Sequence, residues 1–263
     1  MIAREITLQN SVALVTGGGT GIGKAIARAL AEKGARVAIA SRNPSNLEAT
    51  TNEFRAAGLS ALPLRVDVKK KDEIEAAVAR VRESWGGIDI LVNNAGVSGL
   101  NRMDDPDDRR WSEIIETNLT GAYLVTKVAL QAMNGRKGGR IINISSVLGK
   151  FGVPGYSAYC ASKHGLIGFT KALALELVGR DITVNAICPG WVETEMARQG
   201  IRETAAQEGM SAEEFQKAAI GRVPLGRFIG LEEVAGLALY LASPQAAGIT
   251  GQAINVCGGQ TMV

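Results

Sequence analysis

The sequence predicts an α/β protein: a doubly wound parallel sheet of about seven strands with helices on both faces, in one domain over residues 1–263. Three observations predict it. Short continuous Val/Ile/Leu runs alternate with longer segments of helical periodicity. The connections between successive runs are long enough for a crossover helix. Nearly every run ends on a glycine, a small residue or a polar group, and ligands of open parallel sheets bind beyond the carboxyl ends of the strands.

Residues 12–16 form the first strand. A glycine loop follows, then a helix with Ile22, Ile26, Ala29 and Leu30 on one face, stopped by Gly34. Further strands are predicted at 36–40, 61–66, 88–92, 140–144, 182–187 and 252–256. Helices are predicted at 46–57, 71–85, 111–133, 231–241 and from Tyr159 to about 178. Residues 195–223 are the least regular, with an Ala/Glu/Gln-rich centre between Gly200, Gly209 and Gly221. They are expected to form a lid over a substrate.

The composition excludes several classes. Apolar residues make up 46% of the chain, ample for a core, and the net charge is only +3, from 29 basic and 26 acidic residues. That dispersed charge argues against nucleic acid or an anionic membrane surface as partner. Cys160, Cys188 and Cys257 are odd in number and widely spaced, so neither a disulfide framework nor a metal site is expected. The start lacks a signal-peptide pattern and no run of 18 apolar residues occurs, which predicts a cytoplasmic protein with reduced thiols.

The strand ends carry the chemistry. In Gly17-Gly18-Gly19-Thr20-Gly21-Ile22-Gly23, the residues Gly17, Gly21 and Gly23 permit a tight turn and close ligand approach. The next helix aims its amides and dipole at an anion. Ser41-Arg42-Asn43 follows the second strand and lacks the carboxylate that would accept from ribose hydroxyls. A hydroxyl beside a guanidinium suits a 2′-phosphate, so NADP(H) is predicted over NAD(H). Asp67-Val68 can meet an adenine edge, or Asp67 can simply cap a helix. Asn93-Asn94-Ala95-Gly96 lets a flat ligand approach while its amides tie neighbouring strands, and Pro189-Gly190 and Thr194 follow the sixth strand.

Tyr159 and Lys163 stand four residues apart, on one face of a helix. An ammonium beside a phenol lowers the phenol's pKa. Moving a tyrosine from its usual ~10 by roughly 2–3 units takes about 3–4 kcal/mol, within reach of Lys163 and a cationic ligand together. Ser146 lies thirteen residues before Tyr159, and strand alternation sets it opposite Ser145, so Ser146 is the predicted partner. His164 points about 100° away from Lys163, and Cys160 has no partner and is expected to be a small buried residue.

These motifs together resemble the short-chain dehydrogenase/reductase family: Thr16 through Gly23, Asn93 through Gly96, Asn118, Ser146, Tyr159-x-x-x-Lys163 and Pro189-Gly190, in the family's order across nearly the whole chain. The resemblance implies a Rossmann-type fold, a nicotinamide-dependent oxidoreductase acting on CH–OH groups, and a homotetramer. It implies Tyr159 as proton donor to a ketone oxygen, Ser146 as second donor, and Lys163 lowering the tyrosine pKa and holding ribose hydroxyls. Asn118 is implied to hold a water near Lys163, and Thr194 to bond the nicotinamide carboxamide. Gly19, Thr20, Ile22 and Val192 complete the implied cofactor contacts. Tyr156 and Trp191 flank the expected mouth, where they either shape the substrate pocket or pack.

Residues 182–190 and 254–259 resemble bacterial 3-oxoacyl-thioester reductases, particularly the ketoreductases of aromatic polyketide synthesis. Where those carry Pro-Gly-Gly, this chain has Val97-Ser98-Gly99-Leu100. Residues 188–192 are also similar to 3-hydroxybutyrate dehydrogenases, whose NAD preference Ser41-Arg42 opposes. The expected substrate is therefore a 3-oxoacyl thioester. The alternatives are a polyketide, a sterol, sugar or cyclic alcohol worked in the oxidative direction, and a dinucleotide-binding regulator without turnover. An acyl carrier protein partner would favour a basic patch, for which Arg102, Arg109, Arg110, Arg136 and Lys137 are the candidates.

Overall fold

In the computed structural model, which describes residues 5–133 and 138–263, the apolar runs become strands, the inner ones buried on both faces. They are β1 (Val12–Thr16), β2 (Arg36–Ser41), β3 (Ala61–Arg65), β4 (Ile90–Asn93), β5 (Arg140–Ile144), β6 (Thr183–Pro189) and β7 (Ala253–Val256). All pair in parallel, in the order β3-β2-β1-β4-β5-β6-β7. The order reverses between β1 and β4, and the carboxyl ends of those two strands open a crevice.

Strand alternation sorts the core onto two faces. Ala13, Val15, Val37 and Ile39 pack against α1 (Gly21–Glu32), α2 (Pro44–Ala56) and α9 (Leu231–Ala242). Val12, Leu14, Ala38 and Leu91 pack against α3 (Lys71–Trp85), α5 (Gly121–Ala132) and α6 (Ser157–Leu177). This is the doubly wound sheet that the sequence predicts.

Two segments differ from expectation. The helix predicted at 111–133 begins earlier and is broken: α4 (Arg109–Ile115) and α5 are joined by a π-helical turn at Glu116–Thr120. The turn packs closely on α6, where a β-carbon at Gly165 would lie 2.8 Å from Leu119 Cδ2. The segment 195–223 is regular: α7 (Glu195–Glu208) and α8 (Ala212–Gly221) fill it. Gly209 adopts φ +69 to end α7, and Ser211 and Glu214 cap α8 reciprocally, with Glu214 N–H donating to Ser211 Oγ at 3.2 Å and Ser211 N–H to Glu214 Oε2 at 2.9 Å.

A buried amide ladder holds the middle of the sheet to its helices. Asn93 Nδ2 donates to Thr126 Oγ1 and to Asn143 Oδ1, each at 2.8 Å. Asn143 Nδ2 donates to Thr170 Oγ1 at 2.8 Å. The ladder thus joins β4, β5, α5 and α6 directly below the crevice. Replacing Asn143 by Ala takes one hydrogen bond each from buried Asn93 and Thr170 and leaves a small void, which should cost about 2–4 kcal/mol of unfolding free energy. Urea titration checks this, and a loss below about 0.5 kcal/mol would show the ladder to be idle.

Candidate active site

The glycine loop is shaped by sterics. Gly17 and Gly21 sit at φ +65 and +52, a region that costs other residues free energy. A β-carbon on Gly17 would come 2.7 Å from Asn94 Nδ2, and one on Gly23 would strike Gly17 O. Asn94 locks the loop by donating from Nδ2 to Thr16 O and Gly17 O at 2.9 and 3.2 Å. Thr16 Oγ1 in turn accepts the Asn94 and Ala95 amides at 3.0 and 3.1 Å. Thr16 is the polar residue that closes an otherwise apolar strand, a signal readable in the sequence. Helix α1 begins at Gly21 with no side-chain cap and no acidic residue in its first turn, so its dipole and amides are left for an anion.

The loop opens onto a cleft of about 380 Å³. Gly17, Thr20, Gly21, Ile22, Ser41, Arg42, Val68, Asn94, Ala95, Gly96 and Thr194 all line it. So do residues the sequence did not single out for binding, among them Asn46, Val66, Thr117, Glu195 and Met196. Arg42 is exposed and makes no ion pair among the described residues, so its charge is available at the cleft. Gly19 stands behind the loop, with its carbonyl accepting from Thr50 Oγ1 at 2.8 Å.

Several predicted contacts also take structural roles. Asp67 Oδ1 accepts from Lys69 N–H at 3.0 Å, and its own amide goes to Glu73 Oε2 at 2.8 Å, while the flanking Val66 and Val68 face the cleft. Pro189 ends β6, Gly190 N–H donates to Val256 O at 3.0 Å, and Val192 is buried in the core. These three carry the chain to Thr194. The Thr194 hydroxyl caps α7 by accepting from Ala197 N–H at 3.1 Å.

Ser146, Tyr159 and Lys163 converge beside the cleft. Ser145 Oγ donates to Lys163 O at 3.0 Å and fastens β5 to α6, while Ser146 turns to the other side and faces Tyr159. Ser146 Oγ accepts from Leu148 N–H at 3.1 Å, which leaves its proton free to donate outward. Lys163 is buried at 4% exposure, donates from Nζ to Ile144 O at 2.8 Å, and lies 5.5 Å from the Tyr159 ring centroid. Gly96 leaves room above it, since a β-carbon there would lie 3.7 Å from Lys163 Nζ and 3.2 Å from Asn118 Oδ1. His164 Nδ1 contacts Cys160 O at 2.9 Å, one helical turn back and away from the site.

Asn118 sits in the π turn with its side chain fully engaged. Its Oδ1 accepts from Val97 N–H at 2.8 Å, and its Nδ2 donates to Val97 O and Ser162 Oγ at 2.9 and 3.1 Å. It therefore fixes the loop after β4 to the helix carrying Tyr159. Ser162, buried and unremarked in the sequence, completes the link by donating to Tyr159 O at 2.8 Å.

Tyr156 and Trp191 both contact residues of the 195–223 segment. The Tyr156 hydroxyl is 2.9 Å from Thr204 Oγ1 of α7. Trp191 stacks on Phe228, with centroids 5.9 Å apart, and meets Phe215 of α8 edge-on at 6.4 Å.

Burial dominates the electrostatics at Tyr159: in the chain by itself it pushes the phenol up to about 12, outweighing the Ser146 hydrogen bond that pulls it down. The ammonium is held off by its bond to Ile144 O, and burial pushes Lys163 itself down to about 8.

The sequence profile of the short chain dehydrogenases matches residues 11–205. The chain belongs to the short-chain dehydrogenase family. It is an oxidoreductase of that family, with relatives that match along almost their full length. A provisionally named ketoacyl reductase of Streptomyces coelicolor is 48% identical over 255 residues, covering 96% of this chain and 98% of that protein. The 3-oxoacyl-[acyl-carrier-protein] reductase of Escherichia coli is 39% identical over 259 residues, covering 98% and 100%. A variant actinorhodin polyketide ketoreductase, crystallised with NADPH, superposes with a TM-score of 0.92 at 48% identity, covering 97% of this chain and 99% of that one.

The Lys163 shift sets a pH test for this short-chain dehydrogenase. A folded-state pKa of about 8 against the ordinary 10.5 means the unfolded chain binds the extra proton between those values. Burying Lys163 therefore costs most below pH 8, and the cost fades as pH rises toward 10.5. Lys163→Met should raise the melting temperature at pH 7 and lose that advantage near pH 10 (thermal unfolding at both pH values). A variant less stable than the parent at pH 7 would contradict the burial cost.

Proposed function

We propose that this enzyme uses NADPH to reduce a ketone to a secondary alcohol, and that the ketone is a 3-oxoacyl thioester. The observation that carries the reading is the pair of hydroxyls, Ser146 within hydrogen-bond reach of Tyr159 and Tyr159 kept protonated, facing each other beside the cleft. Two donors aimed at one point suit an oxygen that gains negative charge. The 3-oxoacyl thioester is supported by the names of the relatives, which act on ketoacyl groups.

The residues fit a nicotinamide dinucleotide. Gly17 and Gly23 keep open a cradle that β-carbons would fill, and the uncapped α1 amides suit a pyrophosphate. Ser41 and Arg42 would hold a 2′-phosphate, Val66 and Val68 would flank the adenine, and Asn94 to Gly96 would back the central portion. Lys163 would take the ribose hydroxyls, and Thr194 the carboxamide if its cap bond exchanges. Bound there, the group supplies the hydride that reduces the ketone carbon.

The chain does the rest. Ser146 and Tyr159 hydrogen-bond the carbonyl oxygen and orient the carbonyl carbon. Tyr159 gives its proton as the alkoxide forms, and the Lys163 ammonium stabilises the tyrosinate left behind. The helices α7 and α8, within residues 195–223, act as a lid over the substrate, which excludes water from the reacting centre. A cytoplasmic setting fits this reading, since it would keep the three free cysteines reduced.

We propose a homotetramer as the working assembly. Tyr123 of α5, Leu175 of α6 and Val178 just beyond it are exposed at 43%, 80% and 64%. The edge strand β7 is only half buried along its whole length. Both faces are apolar enough to be covered by other copies. A carrier-protein partner draws its support from the relatives' names. Arg102, Arg109 and Arg110 each face a carboxylate, of Asp104, Asp107 and Glu113, which leaves little free charge at that patch. Arg136 and Lys137 lie outside the described residues. A second reading, a cyclic polyketide substrate, is favoured by the Trp191–Phe215–Phe228 aromatic cluster at the base of the lid, a surface suited to fused rings.

Tyr159→Phe should lower turnover of an acetoacetyl thioester by roughly 10²–10⁴-fold while leaving the NADPH dissociation constant within about twofold, by equilibrium binding. Residual activity above a few per cent would remove Tyr159 as the donor. Arg42→Ala should weaken NADPH by about tenfold or more and leave NADH unchanged, because only the 2′-phosphate loses a charged hydrogen bond. Equal loss with both cofactors would overturn the phosphate assignment.

A further inference from the structure

Helix α7 is thinly held. Of its fourteen residues only Ile201 and Ala205 are buried. Its ion pairs are local: Arg198 bonds Glu193 and lies against Glu195, and Arg202 bonds Glu195. Gln199 donates to Glu203 within the helix. Among the described residues, the side-chain hydrogen bond that leaves α7 for the catalytic helix is Tyr156 to Thr204, at 2.9 Å.

The direction of that bond follows from proton counting. Thr204 Oγ1 donates its one proton to Gly200 O at 2.8 Å. It can therefore only accept from outside, and the Tyr156 hydroxyl is the donor. Tyr156 is 8% exposed and sits at the N-cap of α6, three residues before Tyr159 and near enough to act on its titration. Its backbone is fixed too: Asn101 N–H donates to Gly155 O at 2.7 Å, and Ser157 Oγ donates to Asn101 Oδ1 at 2.7 Å. Tyr156 is thus rigid at its base and reaches the thinly packed α7.

We infer that Tyr156 is a positioning residue whose hydrogen bond to Thr204 sets how far α7 stands from Tyr159, and so selects ketones by size. The inference rests on Tyr159 being the proton donor of a ketone reductase. With the strut intact, α7 keeps one seat, which favours slender 3-oxoacyl chains. Without it, α7 moves outward, admits broader ketones and orients slender ones poorly. The Trp191–Phe215 contact still holds α8, so the effect is confined to α7.

The test is a double-mutant cycle with Tyr156→Phe and Thr204→Val, which remove only the bonding groups, and Thr204→Ser as the conservative control. Kinetics are measured with an acetoacetyl thioester and a bicyclic ketone such as 2-tetralone, with NADPH affinity and amide hydrogen exchange across α7 alongside. Each single variant should shift the kcat/KM ratio between the two ketones by about fivefold to tenfold toward the bicyclic one. The shift should come through a higher KM for the thioester. The double variant should shift it no further, Thr204→Ser should match the parent, and NADPH affinity should not change. Exchange across residues 195–208 should quicken by a similar factor. Ratios within twofold of the parent, or single shifts that add in the double variant, overturn the strut. A parent inactive on both ketones would instead indict the reductase reading, and the exchange of α7 would then decide the strut alone: unchanged exchange in Tyr156→Phe overturns it.

Discussion

The buried Lys163 ammonium is the constraint around which the site is built. A cation at 4% exposure needs a committed partner, and Ile144 O at the end of β5 supplies it. That bond requires α6 to lie close over β5, and Ser145 secures the approach by donating to Lys163 O. It also requires space above the ammonium, which the missing side chain of Gly96 provides. Asn118 then holds the loop beyond Gly96 and α6 in one piece, through Val97 on one side and Ser162 on the other. The π turn is the backbone's part in this arrangement, because it brings Asn118 and Leu119 against α6 where Gly165 permits contact.

How much of this was legible depends on whether the signal is periodic or relational. The inner strands were legible because both their faces are covered, so Val12 to Thr16 or Ile141 to Ile144 could only be apolar runs. The π turn was not, since Glu116 to Thr120 holds no glycine or proline to mark a break, and the extra residue per turn leaves no mark in a hydrophobic pattern. The two helices at 195–223 were half legible. Ser211-x-x-Glu214 is a capping box in plain view, yet α7 buries so little that its periodicity fades into a polar surface.

The site residues divide on the same line. Ser146 over Ser145 followed from strand alternation, and the structure sends Ser145 to Lys163 O and Ser146 toward Tyr159. Asp67, Thr194 and Tyr156 were harder, because the groups that bind ligands also cap turns and helices. Sequence can state that such a group stands at a strand end; only packing decides whether its lone pairs are already spoken for. Asp67 meets Lys69 N–H, and Thr194 meets Ala197 N–H. A ligand at Thr194 must compete with the cap of α7, which couples the cleft to the lid through one hydroxyl.

The shifts of Tyr159 and Lys163 also bear on the direction of catalysis. Burial disfavours both charged forms, so it moves the phenol up to about 12 and the ammonium down to about 8. At neutral pH the chain by itself therefore holds a protonated tyrosine beside a lysine that is still mostly charged. A phenol with a pKa near 12 is ionised in only about one molecule in 10⁵ at pH 7. Reduction needs the protonated phenol, which is present at full strength; oxidation needs the tyrosinate, which the chain alone scarcely populates. Additional positive charge in the cleft would narrow that gap by favouring the anion. Until it does, the chain keeps Tyr159 in the protonated form from which a proton donor must start, while holding that proton more tightly than a free phenol would.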